Sequence, residues 1–327
     1  MKIFVYSYRE FDEAVHFQNF SRQLGIEIET TPKPPTLETA HLAEGYEYIS
    51  IITTKVDAAL LEKFHAMGIK MISTRTIGYD HIDLGKAKEL GIRVSNATYP
   101  PSSVADYTVL LILMMIRRMK QIMNRAAVQD FTLPGIQGGE MPDYTIGVVG
   151  TGRIGRTVLK NLSGFGSRLL AYDLNPNGEA EKYADYCSFG QLLEQSDIIT
   201  LHMPGGDGTY HIMNEDTIGK MKTGAVLVNT ARGSLIDTGA MIRALESQKL
   251  GGAALDVVEN EFGLYYGDRK SDVIVNRDLA VLKSFPNVIV TPHMAWYTEG
   301  AVREMVYSSL KSCCLCAAGE KNPWEVI

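Results

Sequence analysis

Chemically reactive side chains follow three separate apolar runs of this sequence. Arg232 follows the first run, Glu259 and Glu261 follow the second, and His293 follows the third. A guanidinium is always charged and can hold a carboxylate through two parallel hydrogen bonds. An imidazole can move a proton in either direction near neutral pH, and a carboxylate on its other ring nitrogen holds its tautomer. Such a set could reduce the carbonyl of a keto acid if a hydride carrier binds nearby.

The hydride carrier is indicated by residues 145–155, which read TIGVVGTGRIG. The first five residues suit a buried strand, and Gly150 lets the chain turn sharply into a helix. Gly152 lets the backbone approach a pyrophosphate, and Gly155 lets the helix lie close to the strand. Asp173 ends the next apolar run, where its carboxylate can bind the adenosine ribose hydroxyls and repel a 2′-phosphate. The pattern therefore predicts NAD in preference to NADP.

Short apolar runs alternate with helical patterns along the whole chain. We predict an α/β fold with two Rossmann-like domains, each built on a doubly wound parallel sheet. The glycine-rich turn begins near residue 145, so the nucleotide domain is expected to interrupt the other one. The predicted substrate domain comprises residues 1–99 and 297–327, and residues 100–296 form the predicted NAD-binding domain. Closure of the substrate domain is expected to exclude water.

One long helix is predicted after the Pro100-Pro101 pair. Ser102 or Ser103 is expected to cap it, and it should run to about Asn124. Its apolar face is expected to be core or dimer interface, and it includes Val104, Leu111 and Met115.

The composition favours small-molecule chemistry. The chain has 327 residues, 45% of them hydrophobic, and its net charge of -6 gives no general attraction to nucleic acid or anionic membranes. The amino terminus does not resemble a secretory signal, and the longest apolar block is too short to cross a bilayer, so we expect a soluble cytoplasmic protein. We expect no metal site and four reduced thiols, at Cys187, Cys313, Cys314 and Cys316.

The motifs TARG at 230–233, GAALDVVENE at 252–261 and TPH at 291–293 resemble, in order and spacing, those of the D-isomer-specific 2-hydroxyacid dehydrogenases. The resemblance covers essentially the whole chain and is strongest to the branch of D-lactate dehydrogenases and the related dehydrogenase of vancomycin resistance. It implies a homodimer that reversibly reduces a small 2-keto acid to the D-2-hydroxy acid with NADH.

The resemblance also implies a role for individual positions. Arg232 would bind the substrate carboxylate and carbonyl, His293 would be the acid/base, and Glu261, in preference to Glu259, would pair with His293. The remaining substrate contacts would come from Ile77, Gly78, Tyr99 and Trp296. The implied NAD contacts are Gly150, Gly152, Arg153, Ile154, Gly155, Asp173, Met203, Pro204, Thr209, Thr230, Ala231, Arg232 and Asp256, the last near the carboxamide.

Two features depart from the family pattern. Residues 205–208 read GGDG where the family usually has a bulky residue after the proline, so this loop is expected to be more mobile. Trp296 stands where a smaller aromatic ring is common, and its effect on the size of the substrate pocket stays open. His202, Arg75 and His81 are expected to make structural hydrogen bonds only.

Several functional alternatives stay open at this stage. The substrate could be a bulkier keto acid, such as phenylpyruvate or a branched-chain acid, or it could be phosphoglycerate or glycerate. Against phosphoglycerate, the chain ends soon after the last predicted helix, without room for a regulatory module. Formate oxidation is disfavoured because that chemistry is associated with glutamine in place of Glu261. A protein of another class, an NAD-sensing binding protein on the same fold, is disfavoured by the intact Arg232, Glu261 and His293 set.

Overall fold

The computed structural model of the protein describes all residues from 1 to 327 and contains two compact units. Unit 1 comprises Met1–Pro100 and Tyr297–Ile327, and unit 2 comprises Pro101–Trp296. Each unit is built on a parallel sheet, so the predicted α/β fold with two Rossmann-like sheets is confirmed. The roles predicted for the two units, substrate binding and NAD binding, stay predictions.

Unit 1 contains a five-stranded parallel sheet in which the strands at residues 48–51 and 71–74 are buried along their whole length, as expected where both faces are covered. Its strands are β1 (Lys2–Val5), β2 (Glu27–Thr30), β3 (Tyr48–Ile51), β4 (Met71–Thr74) and β5 (Arg93–Ser95). Its first three helices are α1 (Glu10–Leu24), α2 (Ala58–Ala66) and α3 (Leu84–Glu89). The strand order is β2-β1-β3-β4-β5.

Unit 2 contains a seven-stranded parallel sheet. Its helices are α4 (Ser102–Ile116), α5 (Met119–Ala127), α6 (Arg153–Leu162), α7 (Phe189–Gln195), α8 (Glu215–Lys220), α9 (Thr238–Glu246) and α10 (Arg277–Ser284). Its strands are β6 (Thr145–Val149), β7 (Arg168–Tyr172), β8 (Asp185–Tyr186), β9 (Ile198–Leu201), β10 (Ala225–Asn229), β11 (Leu250–Leu255) and β12 (Val288–Val290). The order β12-β11-β10-β9-β6-β7-β8 places the change of winding direction between β6 and β9, where a ligand crevice is expected.

The last helix, α11 (Glu299–Ala318), belongs to unit 1. The Thr298 side chain caps its start by accepting a hydrogen bond from the Ala301 N–H at 3.2 Å. Ser309 of α11 hydrogen-bonds Ser50 of β3 at 2.7 Å between two buried side chains. This helix therefore packs against the sheet of the unit that the chain left at Pro100.

The single long helix predicted after Pro101 is wrong. The structure has two helices, α4 and α5, separated by Arg118, whose φ of 51° is left-handed. The Ile116 carbonyl, which would continue a helix, accepts the Gly139 N–H at 3.0 Å instead. A methyl group at Gly138 would lie 2.8 Å from that same carbonyl oxygen. The absence of a side chain at Gly138 therefore lets the segment of residues 138–139 pass close to the end of α4. The predicted serine cap is also absent, because Pro101 occupies the cap position.

The apolar face of α4 belongs to the core of unit 2. Val104 and Leu111 are buried, and Met115 packs against the cluster that includes Leu111. These three residues, which were expected in the core or at a dimer interface, therefore contribute to the core of unit 2.

The structure contains no disulfide bond and no cluster of side chains suited to bind a metal ion. Cys187, Cys313, Cys314 and Cys316 are all free thiols. No group of three or more His, Cys, Asp or Glu side chains is arranged to hold a metal ion. None of the helices combines the length and apolar character required to cross a bilayer.

Candidate active site

The glycine-rich turn after β6 has the geometry of a dinucleotide cradle. Gly150 has a φ of 94°, which glycine adopts at little cost, and it starts the turn into α6. A methyl group at Gly155 would lie 1.9 Å from the Gly150 carbonyl oxygen, so this glycine permits the close approach of helix and strand. Gly152, at the helix cap, has open space where a side chain would be. The first N–H groups of α6, at Arg153 and Ile154, lie at the helix end that attracts phosphate.

Asp173 lies directly after β7 and is tied to this turn. One of its oxygens accepts the Thr151 N–H at 2.6 Å and the Thr151 hydroxyl at 3.1 Å, and the other accepts the Asn175 N–H at 2.9 Å. Partial burial raises the pKa of Asp173, but these donors outweigh it and hold the pKa below its ordinary value. Tyr186 of β8 supports the arrangement by donating to the Thr151 hydroxyl at 2.7 Å. The residues present thus fit the adenosine half of NAD.

Replacing Asp173 with alanine is expected to weaken NADH binding by about tenfold or more, because hydrogen bonds to an ionised carboxylate are lost. Discrimination against NADPH should fall as well, since the negative charge that repels a 2′-phosphate is removed. Fluorescence titration with both cofactors measures the change, and Asp185→Ala, at an exposed position of β8, is the matched control. An unchanged preference between the cofactors would contradict the ribose assignment.

The loop after β9 lies against the glycine turn. A methyl group at Gly150 would be 2.8 Å from the His202 carbonyl carbon, which shows how closely the two loops approach. Burial lowers the pKa of His202 to about 3, and its Nε2 lies 2.9 Å from the Thr200 hydroxyl oxygen. The low pKa keeps the His202 ring neutral near neutral pH, and the contact with Thr200 is the kind of hydrogen bond that the sequence led us to expect. Met203 and Pro204 follow His202, and their contact with NAD stays a prediction.

Residues 205–208 form a turn that Thr209 closes. The Thr209 hydroxyl donates to the Pro204 carbonyl at 2.8 Å, and its N–H donates to the Gly206 carbonyl at 3.0 Å. A methyl group at Gly205 would lie 3.2 Å from Cγ of Arg232, so this turn packs against the candidate catalytic arginine. The greater mobility expected here stays a prediction, as does the contact of Thr209 with NAD.

Arg232 is positioned by the buried side chain of Asn229, the last residue of β10. The Asn229 amide donates to the Arg232 carbonyl at 2.8 Å and accepts the Ala231 N–H at 3.0 Å, which shapes the turn between them. The Thr230 hydroxyl pairs with that of Thr108 at 2.8 Å. Sequence reasoning did not select Asn229, although an asparagine that ends a strand is a typical turn residue.

The arginine turn touches the segment that carries the candidate glutamates. A methyl group at Gly233 would lie 2.2 Å from the carbonyl of Val258 and 2.6 Å from the N atom of Glu259. The Arg232 and Glu261 segments therefore approach each other because residue 233 lacks a side chain.

The two candidate glutamates have different partners. Glu261 accepts the Val258 N–H at 3.0 Å and lies 2.7 Å from Nδ1 of His293. Glu259 lies 2.7 Å from Nε2 of His211 and accepts both the hydroxyl and the N–H of Thr238. Glu261 is therefore the carboxylate that orients the His293 ring, and the catalytic role of the pair stays a prediction.

Asp256 is fully buried under the turn that carries His293. Its carboxylate accepts the Thr291 hydroxyl at 2.6 Å and the N–H groups of Met294 and Ala295 at 2.8 and 2.9 Å. Burial raises the pKa of Asp256, although these donors oppose the shift. Asp256 thus holds the histidine turn in place, while its predicted contact with the carboxamide stays a prediction.

The remaining substrate candidates include three residues in unit 1. Asn96 donates to the Ile77 carbonyl at 2.8 Å, and Thr76 donates to the Gly78 carbonyl at 2.6 Å. Both carbonyls are thus engaged inside the unit, and their N–H groups are the ones suited to a carboxylate. Tyr99 is half-buried in unit 1, and Trp296, the last residue of unit 2, is also half-buried. Their contacts with substrate stay predictions.

Arg75 and His81 have structural partners in unit 1. Arg75 is completely buried and donates to Glu13 and Ser50, each at 2.9 Å. His81 Nε2 lies 3.1 Å from the Thr74 hydroxyl oxygen. The structure thus gives both residues the hydrogen bonds that the sequence led us to expect.

The chain is similar to a known protein family and to several of its members. The model of the D-isomer specific 2-hydroxyacid dehydrogenase NAD binding domain matches residues 109–295. An aromatic 2-oxoacid reductase of Clostridium sporogenes is 42% identical over 313 residues, covering 95% of this chain and 94% of the relative. A D-specific alpha-keto acid dehydrogenase of Enterococcus faecium is 43% identical over 305 residues, covering 93% and 94%.

Solved structures agree with this similarity. A D-lactate dehydrogenase from Treponema pallidum superposes with a TM-score of 0.90 at 33% identity and covers 100% of both chains. The NAD-complexed D-isomer specific 2-hydroxyacid dehydrogenase from Lactobacillus delbrueckii ssp. bulgaricus has a TM-score of 0.86 at 31% identity, with 100% coverage of both chains.

Proposed function

The chain belongs to the D-isomer specific 2-hydroxyacid dehydrogenase family, and from this premise we propose that Arg232, Glu261 and His293 carry out its reaction. It is an NAD-dependent oxidoreductase that reduces a 2-keto acid. We assign NAD binding to unit 2, which carries the glycine turn and Asp173, and we assign to unit 1 the substrate contacts of Ile77, Gly78 and Tyr99. The observation that carries the catalytic assignment is the 2.7 Å contact between Nδ1 of His293 and Glu261.

The residues divide the chemistry among themselves. Bound NADH supplies the hydride that reduces the carbonyl carbon. Arg232 holds the substrate carboxylate and polarises the carbonyl, because its planar fork offers two parallel donors. Since Nδ1 of His293 faces Glu261, Nε2 is the nitrogen that donates the proton to the developing alkoxide. Glu261 holds the tautomer and stabilises the charged ring that precedes transfer.

A small acid such as pyruvate is our first candidate for the substrate, because several relatives are named as D-lactate dehydrogenases. The 42% identity to the aromatic 2-oxoacid reductase favours phenylpyruvate as the second candidate. Assaying NADH oxidation with a panel of 2-keto acids, with kcat/KM for each and the chirality of the product, tests both. Failure to reduce any acid of the panel, or an L-product, would contradict the proposed function.

We also propose that the protein is a homodimer in which the nucleotide-binding units associate. Large apolar residues are exposed along α4, α5 and the following loop, as is typical of an interface. They are Leu110, Met123, Val128, Phe131 and Leu133.

Replacing Phe131, which is 79% exposed, with aspartate is expected to raise the dimer dissociation constant by about tenfold or more, because an aromatic contact at an interface is replaced by a charge. Sedimentation velocity over a dilution series measures the change. Val273→Asp, at a comparably exposed apolar position, is the control. A wild-type protein that sediments as a monomer would contradict the proposal.

The proposed location is the cytoplasm, where cellular reductants keep thiols free. This agrees with the four free cysteines of the chain. Fractionation of cells that express the protein with an epitope tag tests the proposal, and recovery outside the cytoplasmic fraction would contradict it.

A further inference from the structure

One hydroxyl group connects two residues that the proposed function places at the substrate. Tyr266 donates its hydroxyl hydrogen to the backbone carbonyl of His293 at 2.8 Å. The same oxygen accepts the indole N–H of Trp296 at 3.2 Å. Tyr266 therefore joins the candidate acid/base to the residue predicted to border the substrate side chain.

The backbone around this contact is held in an uncommon conformation. Tyr266 has a φ of 66° and His293 a φ of 54°, both in the left-handed region that residues with a side chain rarely adopt. The His293 N–H donates to the Asp256 carbonyl at 2.8 Å, so the backbone of His293 is anchored on both sides, by Asp256 and by Tyr266. Arg269 holds the segment before Tyr266 by donating to the Gly263 carbonyl at 2.6 Å.

The bond to Tyr266 bears on how the Trp296 ring is oriented. An indole has a single donor, its N–H, and no acceptor, so a bond to that donor restricts how the ring can turn. Trp296 is half-buried and lies three residues after His293, within the turn whose N–H groups bind Asp256. The indole bond is made by other atoms than the contact between Glu261 and Nδ1 of His293, so losing it removes a restraint on the Trp296 ring while that contact remains.

We propose that Tyr266 is a positioning residue that sets, through Trp296, the size of the keto acid side chain that the enzyme accepts. The proposal rests on the proposed function, since it takes Trp296 as a border of the substrate. With the indole held by Tyr266, the enzyme favours small aliphatic 2-keto acids over aromatic ones more strongly than it would with a free indole.

Tyr265 offers a matched control at the neighbouring position. Its hydroxyl is buried and has no hydrogen-bond partner, and its ring packs against the apolar core of unit 2. Tyr265→Phe therefore removes the same atom as Tyr266→Phe without breaking a hydrogen bond. Tyr266 itself is 57% exposed, so Tyr266→Phe is expected to fold normally.

The first experiment compares kcat/KM for phenylpyruvate and pyruvate. Tyr266→Phe loses both hydrogen bonds of the hydroxyl, but loss of the bond to the His293 carbonyl should affect both substrates alike. The ratio of the phenylpyruvate value to the pyruvate value should therefore rise by about threefold to tenfold, the range expected from losing the one neutral bond to the indole. The ratio should stay at the wild-type value in Tyr265→Phe. The pH dependence of kcat should be unchanged in both variants, because Glu261 still contacts the His293 ring. An unchanged or lowered ratio in Tyr266→Phe would overturn the proposal.

A second experiment observes the indole without any turnover. The chain has two tryptophans, Trp296 and Trp324, so protein labelled with 5-fluorotryptophan should give two ¹⁹F resonances, which Trp324→Phe assigns. The Trp296 resonance should move in Tyr266→Phe and stay in place in Tyr265→Phe, and a resonance that does not move in Tyr266→Phe overturns the proposal. A wild-type enzyme that reduces no acid of the 2-keto acid panel overturns the proposed function, and this proposal with it. An unchanged ratio in an enzyme that reduces both acids overturns only the role of Tyr266.

Discussion

Replacing His293 with alanine is expected to lower kcat for keto acid reduction by about a hundredfold to ten-thousandfold, the usual contribution of a positioned general acid. The hydride donor remains, but no group stands ready to protonate the alkoxide. The Kd for NADH should stay close to the wild-type value, because none of the contacts of Asp173 or of the glycine turn involves the His293 ring. Stopped-flow reduction and fluorescence titration measure the two quantities separately.

The chain supplies a close control for this variant. His211 contacts Glu259 at 2.7 Å, the same distance that separates His293 from Glu261, yet it lies outside the proposed catalytic set. His211→Gln should change kcat by less than about tenfold, the effect of losing one ordinary hydrogen bond. Normal turnover in His293→Ala would remove His293 as the acid/base. A large loss of NADH binding in that variant would point to damage of unit 2 instead.

Replacing Arg232 with lysine is expected to lower kcat/KM by about a hundredfold, through both a higher KM and a lower kcat. Lysine keeps the charge but offers a single point of contact, so it cannot bind a carboxylate bidentately or hold the carbonyl at the same time. Hydrogen bonds between charged groups contribute roughly 1.5 to 3 kcal/mol each, which corresponds to about tenfold to a hundredfold per bond. Steady-state kinetics with saturating NADH separate the effects on KM and kcat.

Arg243→Lys is the matched control for this substitution. Arg243 is exposed on α9, and its guanidinium contacts Glu215 at 2.8 Å. An exposed ion pair contributes little, so kcat and KM should stay at their wild-type values. If Arg232→Lys behaved in the same way, the carboxylate anchor would have to be sought at another residue.

The fold could be predicted from the sequence because its signals are local. The strand predicted over the first five residues of 145–155 is β6 with the observed bounds, because a short apolar run before a glycine turn is a local signal of a buried strand. The break between α4 and α5 could not be predicted, because the Ile116 carbonyl is taken by Gly139, more than twenty residues further along the chain. No local pattern in residues 102–124 records that contact.

The candidate site, too, could be predicted only in part from the sequence. The residue types at the strand ends pointed to hydride transfer, but the residues alone left Glu259 and Glu261 as equal candidates, and only the resemblance chose between them. The structure separates them by their partners, His211 for Glu259 and His293 for Glu261. Two residues can be neighbours in sequence and still face different loops.

By itself, the sequence determined which side chains could do chemistry and which strands would carry them, because residue type and apolar patterning are properties of short segments. It also identified the cofactor, since the glycine turn and Asp173 belong to one continuous β-α-β segment. Only the tertiary structure decided how Asp256 and Tyr266 hold the turn around His293. Such contacts join loops that are distant in sequence, and they form only when parallel strands bring their carboxyl ends to one edge of the sheet.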